Sequence, residues 1–561
     1  MSNTRTVLVL MLSLMAFMMW NQWQQDYNQP TAPPPQVNGQ TNTVSDVPGA
    51  AAANADIPTA PTTASNTVNN VETPVLAQMG GTGERIEITT DVLKVSIGTQ
   101  GGTILQVQLP EYPVAINEPD VPFTLLEQEG NQWFLAQSGL VSDDSPAPNH
   151  IEVYSAQQAS YSLDNGDELR VPLVWQQGDV RVTKWFIFKR GQYTVEVQHQ
   201  VENLGAQDLH MAQYTQFQRT PQAGGGGNGF TNPKAYSYFG AAVYDPEEKF
   251  VKLPFDEFRD EPYDRLIQGG WLAMVQHYFV AAWIPPMEES LQYTTQEVTS
   301  NGPQRYRLRA LSPAVQVPAN STHTFNDRLY VGPKIQDNLE GVAPGLRFTV
   351  DYGIMTIIAK PLFYALEVIH DIVRNWGVAI IVLTLLIKLA FFKLTEAQYR
   401  SMARMRKLQP RIEALKERYG DDRQKMSQAM MEMYRKEKVN PLGGCFPILI
   451  QIPVFISLYW VLLESVELRQ APFMLWIQDL SSKDPYFVLP ILNGLAMIAT
   501  QRMTPTPGMD PVQRRVMQSM PVIFSVLFAF FPAGLGLYWA TTAISSLAQQ
   551  WYITRRIERE G

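Results

Sequence analysis

Three patterns of apolar and polar positions succeed one another along the chain. An unbroken apolar run, "TVLVLMLSLMAFMMW" from Thr6 to Trp20, opens it, and no periodic pattern follows until about Arg85. From Arg85 to about Gly332, apolar and polar residues alternate in short segments between turn residues, as in "TILQVQL", "RVTKWFIF", "YTVEVQHQV" and "RYRLRAL". Side chains on a strand point alternately to its two faces, so this period of two predicts strands gathered into one all-β sandwich. After Thr349 the period lengthens, with Leu362, Ala365, Leu366, Ile369 and Ile372 at helical spacing against Lys360, Glu367, His370, Asp371 and Arg374. That spacing predicts an amphipathic helix within 349–375, lying in a membrane interface.

Five apolar runs close the chain: Trp376 to Phe392, Phe446 to Leu463, Tyr486 to Thr500, Met520 to Phe531 and Leu535 to Gln549. Crossing a hydrocarbon core takes ~20 helical residues, so the shorter runs rely on a thinned bilayer or on their flanks. The expected fold class is a polytopic α-helical membrane protein carrying a large extracytoplasmic all-β domain. Its parts are a first span over 1–23, a linker over 24–84, the β domain over 85–348, the interfacial helix, a five-helix core over 376–552 and a basic tail over 553–561.

The first run follows a head whose only charge is Arg5, as a secretory signal would, yet Trp20, Asn21, Gln22 and Trp23 follow where small cleavage-site residues belong. The flanks therefore favour an uncleaved anchor. The linker is rich in Pro, Ala, Thr, Asn and Gln and has no period, a composition that buries no core and predicts a disordered tether. Cys445 is the only cysteine, so no internal disulfide holds the β domain together.

Charge adds an orientation. The net charge of the chain is −9, yet Lys393 to Asn440 holds thirteen basic and seven acidic residues. The loop with Arg502, Arg514 and Arg515 and the tail with Arg555, Arg556 and Arg559 are basic as well. Basic loops stay in the cytoplasm, which places both termini inside and the β domain outside. The segment 395–440 reads as a helical hairpin turning at Gly420, Asp421 and Asp422 and kinked at Pro410. Arg404, Arg406 and Lys407, with Met430 and Met431, are its candidate partner contacts. Methionine faces suit variable partners, although the same methionines can simply pack the two arms together.

Catalytic signatures are few. There is no H-E-x-x-H, G-x-S-x-G or P-loop and no zinc-type Cys/His spacing, and "AGGGGNGF" (Ala223 to Phe230) lacks the Lys-Ser/Thr of a phosphate cradle. His199 alternates with Val195, Val197 and Val201, which makes it a wet-face or satisfied core residue. No Asp or Glu stands in the middle of a late span, which weakens a proton-coupled transporter reading. Lys388 does stand within one. It can snorkel toward Lys393, five residues on, or it can share a wet cavity with Thr384, Gln451, Asn493 and the stripe Thr542, Ser545, Ser546 and Gln549.

The stretches "LTEAQYRSMARMRKLQPRIEALKERYGDD", "KVNPLGGCFPILIQIPVFISLYWVL", "SVELRQAPFMLWIQDLSSKDPYFVLPIL" and "MPVIFSVLFAFFPAGLGLYW" resemble the Oxa and Alb family of membrane protein insertases. The resemblance covers nearly all of Thr349 to Arg556, and the anchor and β domain match the Gram-negative layout. It implies a groove open to the cytoplasm and to lipid, closed on the outer side, with Lys388 where the family usually has arginine. The lysine keeps the charge and loses the bidentate fork. Thr384, Gln451 and Trp539 align with other groove positions. The β domain resembles the sugar-binding supersandwich of aldose epimerases. Implied partners are nascent membrane proteins, the lipid bilayer, the Sec translocon, and the ribosome and signal recognition particle pathway. Neither a cofactor nor a nucleic-acid substrate is implied. The rival classes are a solute transporter and a membrane-anchored carbohydrate-binding or mutarotase-like protein.

Overall fold

A computed structural model describes residues 57–60, 84–221, 237–299, 304–419, 423–437, 446–503 and 511–560. The anchor, most of the linker, the glycine-rich run at Ala223 to Phe230, the hairpin turn at 420–422 and Cys445 lie outside the described residues, as do the side chains of Arg406 and Lys407.

Two antiparallel-rich sheets of eleven and nine strands form the β domain, from the strand at Arg85–Thr89 to the one at Thr322–Pro333. The alternation has the expected cause in Thr194–Asn203, where Val195, Val197, His199 and Val201 are buried and the residues between them are partly exposed. Trp271, Trp283, Phe186, Phe188 and Phe217 fill the space between the sheets. His199 is a core residue, 0% exposed, with Nδ1 3.0 Å from Gln213 Nε2. In Arg305–Leu311 the alternation misleads: Arg305, Arg307 and Arg309 are buried as fully as Tyr306, Leu308 and Ala310, because both faces of that strand are covered.

Helices follow: α1 (Gln336–Val342), α2 (Thr356–Val373), α3 (Trp376–Ala390), α4 (Phe392–Lys407), α5 (Gln409–Tyr419), α6 (Arg423–Lys436), α7 (Phe446–Glu464), α8 (Val488–Met503), α9 (Pro511–Phe528) and α10 (Ala533–Glu560). Two boundaries differ from expectation. Helix α9 starts nine residues before Met520, and α10 runs on through the basic tail to Glu560, since neither segment holds a breaker that would stop it. Among the described residues, Gly353–Val373 alone is long and apolar enough to cross a membrane unaided. Trp376–Ala390 joined to Phe392–Ser401 makes a second candidate, bent by 60°, and Gln451–Glu464 and Arg515–Phe528 are shorter apolar helices. The Ser, Thr and Gln stripe of α10 keeps its hydropathy low. Helix α2 is also less one-sided than its spacing suggests: Ala359, Phe363 and Leu366 are buried, while Ile357, Tyr364 and Ile372 stand exposed. An exposed apolar face suits lipid contact.

Candidate functional site

Lys388 occupies the last turn of α3, a helix begun by Asn375. The Asn375 side chain accepts from the Val378 N–H at 3.0 Å and donates to the Phe473 carbonyl at 2.9 Å, so one residue both caps α3 and ties it to the loop between α7 and α8. Gly377 is required there, because a Cβ at that position would collide with the Phe473 ring. Further down, α3 packs along α10. The Lys388 amine turns inward, only 8% of the residue is exposed, and Nζ donates to Ser546 Oγ at 2.8 Å. Ser546 in turn donates its hydroxyl to the Thr542 carbonyl at 2.7 Å, which leaves its oxygen lone pairs to face the ammonium. Gln549 Nε2 lies 3.5 Å from the Lys388 carbonyl, and Tyr399 of α4 reaches the Ser546 carbonyl at 3.4 Å. Among the described residues no carboxylate lies within ion-pair distance of Lys388. A buried cation with only neutral partners is costly to hold.

The other candidate residues spread along the same bundle. Thr384, one turn before Lys388 and 2% exposed, donates to its own helix at the Ile380 carbonyl (2.6 Å). Trp539 on α10 sits among aromatic rings of α7, α9 and the turn after α9: it stacks on Phe455 at 5.2 Å, lies against Phe528, and meets Phe531 edge-on. Gln451 is one turn before Phe455 on α7 and partly exposed. Asn493 is 3% exposed on α8, which packs against α10. No hydrogen bond among the described residues joins Gln451 or Asn493 to Lys388. Asn493 Nδ2, Ser525 Oγ and Gln549 Oε1 are buried with no hydrogen bond to any described residue. Ser546, one of the stripe expected to share a cavity with Lys388, is its direct partner, and Tyr399, which reaches the Ser546 carbonyl beside it, is the residue that sequence reasoning missed. Ser546 was legible in the polar stripe of α10, whereas Tyr399 carried no signal.

In the hairpin, Leu408 breaks the first arm into α4 and α5, and Pro410 falls in the first turn of α5, where its missing N–H costs nothing. Leu408 and Ile412 pack against Met430, Met433 and Tyr434, and an Arg411–Glu437 ion pair lies nearby. Met430 therefore packs the arms together, while Met431, 58% exposed, and Arg404 face outward.

Two family models divide the chain: a YidC periplasmic domain over residues 85–365 and a 60Kd inner membrane protein over 368–560. Membrane protein insertase YidC of Methylococcus capsulatus is 47% identical over 562 residues, covering 100% of this chain and 99% of that protein. The chain belongs to the YidC family of membrane protein insertases. The YidC of Nitrosococcus oceani is likewise 47% identical, over 567 residues and all of both chains. A crystal structure of an active YidC insertase with its first transmembrane domain resolved covers 85% of this chain at 21% identity and a TM-score of 0.39.

The β domain leads directly into the helices, and its seat on them is a buried polar contact. Lys334, just after the last strand, pairs with Glu464 at the end of α7, with Nζ to Oε2 at 3.3 Å and both side chains 1% exposed. Ser237 also donates to Glu464, and His277 Nε2 donates to the Leu463 carbonyl at 2.8 Å. Arg469 and Gln470 both donate to the Pro113 carbonyl, at 2.6 and 2.9 Å. Burial draws the Lys334 ammonium below the usual lysine range, and Glu464 opposes that shift. Burial pushes the nearby Glu467 carboxyl up to about 7, with Glu367 and Asp337 adding to the rise.

Proposed function

We propose that this chain is a membrane protein insertase and chaperone that receives nascent membrane proteins in a hydrated groove between α3, α7, α8 and α10 and releases their helices into the lipid bilayer. The observation that carries this reading is the buried Lys388 ammonium, held among the described residues by Ser546 alone. A cation without a counter-charge attracts a polar or acidic client tail more strongly than the same cation in an ion pair. The buried polar atoms of Asn493, Ser525 and Gln549 take partners when water or client backbone enters. Thr384, Gln451 and Trp539 line the path in this reading, and hydrophobic transfer of the client helix to lipid supplies the free energy.

The assigned layout is a multi-pass protein of the inner membrane with both termini cytoplasmic and the β domain periplasmic. Spans one to six are 1–23, α3, α7, α8, α9 and the first part of α10, with α2 in the interface. The hairpin of α4, α5 and α6 receives clients through Arg404, Arg406, Lys407 and Met431. The ribosome and the signal recognition particle pathway deliver them, and the Sec translocon is a neighbour for some.

Insertion of two clients, one with an acidic translocated tail and one with that tail neutralised, tests the groove at matched abundance of each variant. Lys388→Arg leaves both clients unchanged. Lys388→Ala and Lys388→Glu slow the acidic-tailed client selectively, by about 1 to 3 kcal/mol at an intermediate dielectric. Equal loss for both clients with Lys388→Glu would reduce Lys388 to an anchor.

A further inference from the structure

The eleven-stranded sheet has an outer face that the insertase reading does not use. Across the strands Gln132–Val141, Leu209–Arg219 and Arg305–Leu311, the register pairs Val141 with Ala212, Gly139 with Tyr214 and Tyr214 with Leu311. These residues share the face opposite Phe217 and Leu308, which point into the sandwich. Val141, Ala212 and Tyr214 are nonetheless buried, and what packs on them together with Leu311 is Ile57 and Ala60 of the linker. Pro58 between them is buried and Thr59 is exposed. The composition of 24–84 predicts no packed structure, so a four-residue segment seated on the sheet needs its own cause.

The floor is built to hold it. The Tyr214 hydroxyl accepts from the His150 N–H at 2.9 Å and lies 2.5 Å from His150 Nδ1, with the two rings edge-on, so the tyrosine is fixed. A Cβ on Gly139 would come within 2.8 Å of that hydroxyl and 3.0 Å of Asn149 Cα, so any larger residue would lift the ring out of the floor. Proline brings no N–H to leave unpaired against a side-chain surface and loses little freedom on docking. A spacing of three, from Ile57 to Ala60, returns side chains to one side of a polyproline-type segment. The same face continues into Gln137, Gln216 and Arg309, joined by hydrogen bonds of 2.8 Å, which can meet the polar groups of a longer occupant.

We propose that this outer face is a docking groove for an extended, proline-containing apolar peptide and that its occupant is the chain's own Ile57–Ala60. The linker is thereby pinned to the β domain well before the first strand at Arg85, and the stretch between anchor and β domain is shortened.

The test uses the full chain in lipid nanodiscs, with a photocrosslinking residue at the exposed Thr59. Intrachain adducts to residues 139–141 or 212–214 are expected, and Ile57→Asp combined with Ala60→Asp lowers their yield at least ten-fold. Ala212→Leu, which fills the groove from the sheet side, lowers it similarly. If that variant unfolds the β domain in a thermal melt, the linker-side pair decides. Adducts formed only between chains, only elsewhere on the protein, or undiminished by the linker substitutions would overturn the proposal.

Discussion

Lys184 and Lys388 are both buried lysines, and their neighbours separate their roles. The Lys184 amine donates to the carbonyls of Gly101, Gly102 and Ser138 at 2.9 to 3.1 Å, a closed set of acceptors in the sandwich interior. Burial brings its pKa down to about 7, and Asp327 opposes that shift. Gly101 and Gly102 have φ of 67° and 56°, a turn that aims both carbonyls at the amine. Lys184→Met orphans three buried carbonyls and is expected to destabilise the β domain by about 3 kcal/mol or more, at ~1 to 3 for each unsatisfied group. Denaturant unfolding of the full chain in detergent, read by tryptophan fluorescence, measures it, and client insertion stays unchanged. Among the described residues Lys388 has one neutral hydroxyl for a partner, which leaves it able to exchange Ser546 for a client group.

The hairpin shows how one sequence feature divides between packing and recognition. Ile412 is 2% exposed between the arms, and Met431 faces away from them. Ile412→Ala is expected to loosen the hairpin by ~2 to 4 kcal/mol through the cavity it leaves, raising amide exchange in α5 and α6 together. Met431→Ala leaves that exchange unchanged and weakens crosslinking of the hairpin to a stalled nascent membrane protein. If the two substitutions change client crosslinking equally, the outward face has no separate part in reception.

On the scale of the whole molecule, the β domain and the helices are joined by charge that water does not reach. Removing one member of a buried pair strands the other, at ~3 to 5 kcal/mol. Glu464→Ala should therefore lower the thermal midpoint of the full chain clearly, whereas Lys334→Met with Glu464→Leu restores most of it. Glu467 makes the same junction depend on pH. Its carboxyl titrates near 7 when docked and near the ordinary glutamate value when free, so the docked state holds the extra proton in between. Stability of the junction is thus full below the free value and falls as pH rises toward 7. The whole fall is at most about 3.5 kcal/mol, because each pH unit between the free and docked values is worth about 1.36 kcal/mol. Amide exchange in α1 should be slower at pH 5 than at pH 7.5 after correction for the intrinsic rate, and Glu467→Gln should remove the difference.

Periodicity sufficed for the strands of the β domain and the helical character of the last third, because one buried face imposes a period of two or 3.6 on any chain. The family was legible through resemblance instead, since the motifs from Leu394 to Trp539 are local strings, and Lys388 was legible because a charge inside an apolar run is conspicuous by itself. Packing alone decided the rest. Alternation in "RYRLRAL" cannot tell a wet face from a covered one, so the burial of Arg305, Arg307 and Arg309 follows from what lies over the sheet. Leu408 and Tyr399 owe their places to helices distant in sequence, as do Lys334 and Glu464, 130 residues apart. The docked Ile57 and Ala60 belong to a stretch whose composition predicts no order, and only the groove over Gly139 and Tyr214 gives it a place.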